Sequence, residues 1–189
     1  CVVPSQAENT QTKLDTTNVQ NISEVVVKAV RAPQSAPFAI TNVQKQQLQD
    51  FAKSGKELPF LFARTPGVLS WSENGVGTGT TYMRLRGAVD SRINVTIDGV
   101  PLNSPEDQCV FWANMNSYAS LLGSAQIQRG IGTSTNGDGA FGGSISLATA
   151  TPAETPALEL TGSYGSFNTM NAGASFSTGL LWNHLIFDG

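Results

Sequence analysis

The sequence has 189 residues, enough for one sizeable domain and part of a second. Charged residues make up 13% of it, about half the share of roughly 25% typical of soluble domains, and the net charge is −3. This balance gives no reason to expect a nucleic acid partner, and low charge with 19 glycines favours an exported β-protein over a cytosolic enzyme.

The N-terminal 21 residues are rich in Gln, Asn, Thr and Ser without periodicity, which predicts disorder. A β-branched run follows at residues 23–29, and it contains Glu24, Val25, Val26, Val27, Lys28 and Ala29. Next to a polar leader, such a run is typical of the first strand of a sheet or of a segment that adds to a partner's sheet edge. Both interpretations stay open from the residues alone.

Two short helices are predicted after a short strand at residues 37–41. Thr41 or Asn42 is placed to cap the first helix. The apolar stripes that define the two helices are Leu48, Phe51 and Ala52 in the first, and Leu58, Leu61 and Phe62 in the second. A glycine-rich loop is then predicted at residues 69–81.

Four alternating patterns predict the strands of one small sheet, at residues 82–87, 92–103, 126–130 and 136–147. Asp98 and Gly99 are typical of a two-residue hairpin turn, which requires positive φ. A long loop is predicted at residues 103–116, and a helix at residues 117–122.

The last part of the chain has a different pattern. After a Pro-punctuated boundary, apolar residues alternate with polar ones on both sides of a turn at residues 165–168. The apolar residues are Leu158, Leu160, Tyr164, Ala172, Ala174 and Phe176, which we expect on one face of a hairpin. Strands of this kind, joined by a tight turn, are typical of outer-membrane β-barrels.

The order of four motifs carries a family resemblance. RLRG stands at residues 84–87, IDGVP at 97–101, IQRG at 127–130 and NGDGAFGGSISLAT at 136–149, after ELPFLFARTPGV at 57–68. In this order they resemble the plug domain of TonB-dependent receptors, which import scarce nutrients across the outer membrane of Gram-negative bacteria.

The resemblance implies an α+β fold, a TonB-receptor plug with a small mixed sheet, short helices and long loops, followed by the first antiparallel hairpin of a transmembrane β-barrel. The domains would be a disordered periplasmic leader at 1–21, the plug at 22–150, and a truncated barrel start at 151–189. The full receptor would then lie in the outer membrane.

The resemblance also implies roles for individual residues. Glu24 to Ala29 would be the TonB box, which a TonB protein binds from the periplasm, although Lys28 stands where the family has Thr. Arg86 and Arg129 would face carboxylates of the barrel wall. A small-molecule or metal-chelate substrate, such as a siderophore, haem, cobalamin or glycan, would meet the loop residues Trp71, Glu73, Asn74, Phe111, Trp112 and Asn114.

Catalytic chemistry finds little support in the sequence. Residues 137–142 fit G-x-G-x-x-G, but an alternating strand pattern follows instead of the helix that dinucleotide binding requires. The single histidine, His184, has no catalytic or zinc-ligand pattern around it. We therefore predict no enzyme, no metal site and no cofactor, with a self-standing secreted β-rich ligand-binding module as the alternative function.

Overall fold

The structure is a computed structural model, which describes residues 31–33, 37–131, 140–153, 155–168, 170–181 and 185–189. The leader and the whole predicted TonB box, from Glu24 to Ala29, lie outside the described residues. The first three residues of the G-x-G-x-x-G motif, 137–139, and His184 also lie outside them.

The described elements alternate short strands with short helices. In chain order they are β1 (Ala39–Gln44), α1 (Lys45–Ala52), α2 (Leu58–Phe62), β2 (Val68–Ser72), β3 (Thr81–Leu85), β4 (Ile93–Ile97), β5 (Val100–Pro101), α3 (Tyr118–Leu121), β6 (Leu122–Arg129), β7 (Gly143–Thr149), β8 (Ala157–Tyr164) and β9 (Met170–Ser177). Three short 3-10 turns lie at Asp90–Arg92, Trp112–Met115 and Ser166–Asn168.

A five-stranded mixed sheet forms the centre of the fold, in the order β1-β6-β7-β4-β5. β4 and β7 run parallel, whereas the other neighbouring strands run antiparallel. β4 and β5 meet at the predicted hairpin turn, where φ is 48° at Asp98 and 84° at Gly99. The predicted strands at 92–103 and 126–130 are therefore confirmed, as is the turn, and the strand predicted at 136–147 is confirmed from Gly143 onwards.

The sheet has one apolar face and one polar face. Side chains of the apolar face pack with both longer helices into a single buried core, which contains Val43, Leu48, Phe51, Leu58, Leu61, Phe62, Ile93, Val95, Ile127, Ile145 and Leu147. Burial of each large apolar side chain contributes about 1.5–3 kcal/mol. Both predicted apolar stripes are confirmed. The opposite face also holds buried residues, but they are polar: Thr96, Gln126, Gln128, Ser144 and Ser146.

β3 does not belong to the central sheet, contrary to the prediction of a single sheet. It pairs with β2 in a separate two-stranded sheet, in which Trp71 lies opposite Tyr82. The predicted loop at residues 69–81 is therefore wrong in its first part. The sequence hid β2 because its exposed positions, Leu69 and Trp71, are more apolar than its partly buried Ser70 and Ser72.

The cap of α1 also differs from the prediction. Thr41 and Asn42 lie within β1, which pairs with β6 as far as Gln44. Gln44 caps the helix instead, and its backbone N–H donates to Oε1 of Gln47 at 3.1 Å. Strand pairing thus displaced the helix start beyond the residues with the better intrinsic capping preference.

β8 and β9 form an antiparallel hairpin with eight residue pairs. Directly opposed residues lie on the same face of such a pair, and the opposed pairs include Leu158 with Phe176, Leu160 with Ala174, Gly162 with Ala172 and Tyr164 with Met170. All six apolar residues expected on one face lie there, so this prediction is confirmed. The face is exposed, with Leu160 at 73% and Tyr164 at 72%.

Candidate functional site

An aromatic surface covers the outer face of the β2–β3 sheet. The rings of Trp71 and Tyr82 stack with centroids 5.6 Å apart, and the guanidinium of Arg84 lies 5.8 Å from the Trp71 ring. The Tyr82 hydroxyl donates to Oε1 of Glu73 at 3.1 Å. That hydrogen bond and the adjacent carboxylate charge raise the pKa of Tyr82 above its usual value. Trp71 and Glu73, both predicted to face a ligand, thus lie on one exposed surface.

The loop that follows β2 is held by side chains at both ends. The Asn74 side chain donates to the Thr78 carbonyl and accepts from the backbone N–H of Val76 at 2.9 Å. At the base, the buried Glu57 accepts from the N–H of Gly79 at 2.5 Å through Oε1, while its own N–H donates to the Gly77 carbonyl at 3.0 Å. Asn74 therefore shapes this exposed loop.

Glu57 is a residue that the sequence analysis missed. Only 1% of it is exposed, and its Oε2 atom has no hydrogen-bond partner among the described residues. The sequence offers one weak signal, because Glu57 directly precedes α2 as its N-cap residue. We infer that it fixes the position of the glycine-rich loop relative to α2.

In the longer loop, at residues 103–116, some of the predicted ligand-facing residues lie at the surface and one lies in the core. Phe111 is 59% exposed and Asn114 is exposed, whereas Trp112 is only 2% exposed. The Trp112 ring packs edge-on against Phe62 at 5.9 Å in the core. The expectation that Trp112 faces a ligand is therefore corrected, because its side chain fills the core between this loop and α2.

Asn103 ties the same loop to β4. Its Oδ1 accepts from the Val95 N–H at 2.8 Å, and its Nδ2 donates to the carbonyls of Ile93 and Gln108 at 2.9 and 2.7 Å. Beside it, burial raises the pKa of the Cys109 thiol. Three hydrogen bonds from one amide fix where the loop leaves the sheet.

A small cavity lies under β3, beside the longer loop. It is lined by Met83, Asp90, Ile93, Val95, Val110 and Trp112. Burial raises the pKa of the Asp90 carboxyl, and the hydrogen bond that it accepts from the Met83 N–H acts in the opposite direction. β3 therefore carries Tyr82 on the aromatic surface and Met83 towards the cavity.

Arg86 and Arg129 come together at one end of the sheet. The Arg86 backbone has a positive φ of 53°, and its N–H donates to the Gly67 carbonyl at 2.7 Å. Its guanidinium lies beside Gly130, directly after Arg129. Arg129 donates from Nη1 to the Pro66 carbonyl at 3.2 Å, and its buried Nε has no partner in the described part of the chain. Neither arginine forms an ion pair within the described residues. The ion pair that does form there joins Lys53 to Asp50.

Neither a metal-ligand cluster nor a membrane-spanning helix stands among the described residues. No group of three or more His, Cys, Asp and Glu side chains there is arranged to hold a metal ion. None of the helices in that part of the chain has the length and apolar character to cross a membrane.

Gly143 begins strand β7, so the predicted alternating strand after the G-x-G-x-x-G motif is confirmed.

The comparisons with known proteins agree with one another on the fold. The ferric yersiniabactin uptake receptor FyuA from Yersinia pestis is 19% identical, with a TM-score of 0.56, over 78% of this chain and 22% of that one. FpvA of P. aeruginosa, solved with pyoverdines, is 20% identical, with a TM-score of 0.58, over 79% of this chain and 19% of FpvA. The alcaligin outer-membrane receptor FauA from Bordetella pertussis is 20% identical, with a TM-score of 0.55, over 78% of this chain and 24% of FauA.

Identities this low establish the fold alone, and the chain spans less than a quarter of the length of these receptors. None of the curated proteins matches the chain. The family model described as TonB-dependent Receptor Plug Domain matches residues 32–144, which is more than half of the sequence. This chain therefore belongs to the TonB-dependent receptor plug domain family.

Proposed function

We propose that the chain is the plug and first barrel hairpin of an outer-membrane receptor that imports a small molecule or metal chelate, and that it is not an enzyme. The match to the plug family over residues 32–144 carries this proposal. TonB-dependent receptors are outer-membrane proteins of Gram-negative bacteria, and the transport role of the solved relatives supports the same class. The domains proposed are the leader at 1–21, the plug at 22–150 and the barrel start at 151–189.

The hairpin of β8 and β9 supports the barrel part of the proposal. One face carries exposed Leu158, Leu160, Tyr164, Met170 and Phe176, whereas Glu159, Thr161, Ser163 and Ser175 lie on the other. An outer-membrane barrel strand needs this division, with lipid outside and a polar interior. The alternative function predicted from the sequence is a self-standing secreted binding module. Such a module would not need an apolar face that remains exposed to solvent.

Substrate contact is proposed for the exposed loop residues. Trp71, Glu73, Asn74, Phe111 and Asn114 are exposed. β3 follows the first of the two loops that carry them, and its Met83 lines a cavity together with Val110 and Trp112 of the second. Aromatic rings with adjacent amide, cationic and acidic groups can bind a chelate or another polar small molecule. Trp112 would support this surface from below rather than touch the ligand.

The coupling partner proposed is a periplasmic TonB protein that pairs as a strand with Glu24 to Ala29. Val26→Pro removes a backbone N–H and fixes φ, so it should break that pairing. We expect TonB-dependent uptake by the full-length receptor to fall to background while substrate binding at the cell surface persists. The measurement is uptake and binding of the receptor's labelled substrate in intact cells.

Val19→Pro is the matched control, because it introduces proline at another valine of the polar leader, outside residues 23–29. It should leave uptake unchanged. Normal uptake with Val26→Pro would place the TonB-contacting segment elsewhere.

The two clustered arginines are proposed to bind carboxylates of the barrel wall. A guanidinium with a buried, unpartnered Nε, as in Arg129, favours an acidic partner supplied by another part of the receptor. Arg86→Ala or Arg129→Ala should therefore speed amide hydrogen exchange across residues 82–130 of the intact receptor by roughly tenfold, which corresponds to about 1.4 kcal/mol.

Arg84→Ala serves as the comparison, since Arg84 lies two residues before Arg86 but stacks on Trp71. Its exchange pattern should match the wild type away from the aromatic surface. Unchanged protection in both the Arg86 and Arg129 variants would mean that these side chains are merely solvated.

A further inference from the structure

The side-chain amide of Gln126 in β6 forms hydrogen bonds with both backbone groups of Ala32. The Ala32 N–H donates to Oε1 of Gln126 at 2.8 Å, and Nε2 of Gln126 donates back to the Ala32 carbonyl at 3.0 Å. Nε2 also donates to Oδ1 of Asn42 in β1 at 2.9 Å. Both Gln126 and Ala32 are buried. One amide side chain thus satisfies both backbone groups of Ala32, as a neighbouring strand would.

Arg31 adds a second attachment to the same face of the sheet. Its guanidinium donates to Oγ and the carbonyl of Ser124 at 2.8 and 3.1 Å, and to Oγ and the carbonyl of Ser146 at 3.3 and 3.1 Å. Ser124 lies in β6 and Ser146 in β7, so one side chain spans two strands. We call Arg31, Ala32, Ser124, Gln126 and Ser146 the N-terminal anchor.

The anchor holds a half-buried cation through neutral oxygens. Burial lowers the pKa of Arg31, and the charge of Asp98 acts in the opposite direction. Asp98 itself accepts hydrogen bonds from the backbone and the hydroxyl of Thr149 rather than from Arg31. No carboxylate of the described residues lies within ion-pair distance of Arg31. Hydrogen bonds from a guanidinium to a carboxylate are stronger than those to neutral oxygens. The hydrogen bonds of Arg31 therefore break more easily than an ion pair would.

The place of the anchor in the chain gives it a mechanical consequence. It lies two residues after the proposed TonB-contacting segment and shortly before β1, which among the described strands is an edge strand paired with β6 alone. Tension applied at residues 24–29 reaches Arg31 and Ala32 before it reaches Ala39, where the pairing of β1 with Arg129 begins. Without the anchor, the same tension would act on the end of β1 directly and load its residue pairs one after another.

We propose that the N-terminal anchor is the first mechanical barrier between the TonB-contacting segment and the central sheet. Its six hydrogen bonds, two at Ala32 and four at Arg31, share the load and must break before β1 can be drawn away from β6. The anchor protects the sheet at low tension and releases the chain at higher tension. This inference rests on the proposed function only for the source of the tension.

The test is to pull the full-length receptor, reconstituted in lipid vesicles, by its N-terminus with an atomic force microscope. Gln126→Ala removes two of the six bonds, so the force of the first rupture should fall by roughly one third. Arg31→Ala removes the other four without altering any strand, and its effect should be larger. The double variant should lose the first rupture altogether.

Gln128→Ala is the matched control. Gln128 lies two residues further along β6 on the same face and is also buried, but within the described ranges its Nε2 has no hydrogen-bond partner. Its first-rupture force should equal that of the wild type. Hydrogen exchange at the Ala32 amide should accelerate at least tenfold in Gln126→Ala and stay unchanged in Gln128→Ala, which ties the effect to the anchor.

The outcomes separate the two proposals. If Gln126→Ala and Arg31→Ala fold normally and keep the wild-type rupture force, the anchor is not a mechanical barrier, whatever the uptake results. If both lower the force but Val26→Pro leaves uptake intact, the barrier stands and the proposed TonB contact at residues 24–29 fails.

Discussion

Gly143→Ala is expected to lower the free energy of unfolding by more than about 4 kcal/mol, because the substitution forces backbone apart at the junction of two strands. Gly143 has a φ of 149°, which side-chain-bearing residues rarely adopt. An added Cβ would overlap the Gln128 carbonyl oxygen and lie 2.5 Å from Cδ2 of Leu85. Gly143 pairs with both Arg129 and Ile93, so neither neighbouring strand can move away without loss of pairing.

The measurement is urea denaturation of the 189-residue chain, followed by circular dichroism. Gly162→Ala is the matched control, since Gly162 also lies in a strand but nothing stands within 4 Å of its added Cβ. That variant should change the free energy of unfolding by less than about 0.5 kcal/mol. A Gly143→Ala chain with the wild-type midpoint would contradict the close approach described here.

Trp112→Ala is expected to cost about 3–5 kcal/mol in the free energy of unfolding, the range for removing a large aromatic side chain from a core. Trp112 is 2% exposed and packs edge-on against Phe62. The cavity left behind would adjoin the existing one between Met83 and Val110, and these neighbours belong to strands and loops that cannot collapse freely.

Phe111→Ala supplies the comparison at the adjacent position. Phe111 is 59% exposed, so its removal should change the free energy of unfolding by less than about 0.5 kcal/mol. In the full receptor, Phe111→Ala should weaken substrate binding while Trp112→Ala acts through stability. The reverse pattern, with Trp112→Ala harmless to folding and damaging to binding, would restore Trp112 as a ligand contact.

Local sequence pattern was sufficient for much of the fold. The positions of α1 and α2 follow from stripes such as Leu48 and Phe51, because helical spacing alone places these side chains on one face. The Asp98–Gly99 turn follows from its need for positive φ. The shared apolar face of β8 and β9 follows from the two-residue period, and a hairpin brings its two strands together without any distant partner.

The sequence by itself determined most of the elements, though not β2, and it determined the family resemblance, because both depend on residues close together in the chain. Only the tertiary structure decided that β3 pairs with β2, that Trp112 enters the core, and that Gln126 holds Ala32, 94 residues away. Period-two alternation sets which side chains share a face but says nothing about which strands pair. An aromatic residue in an irregular loop has no period at all, so its direction depends on the space that distant elements leave open.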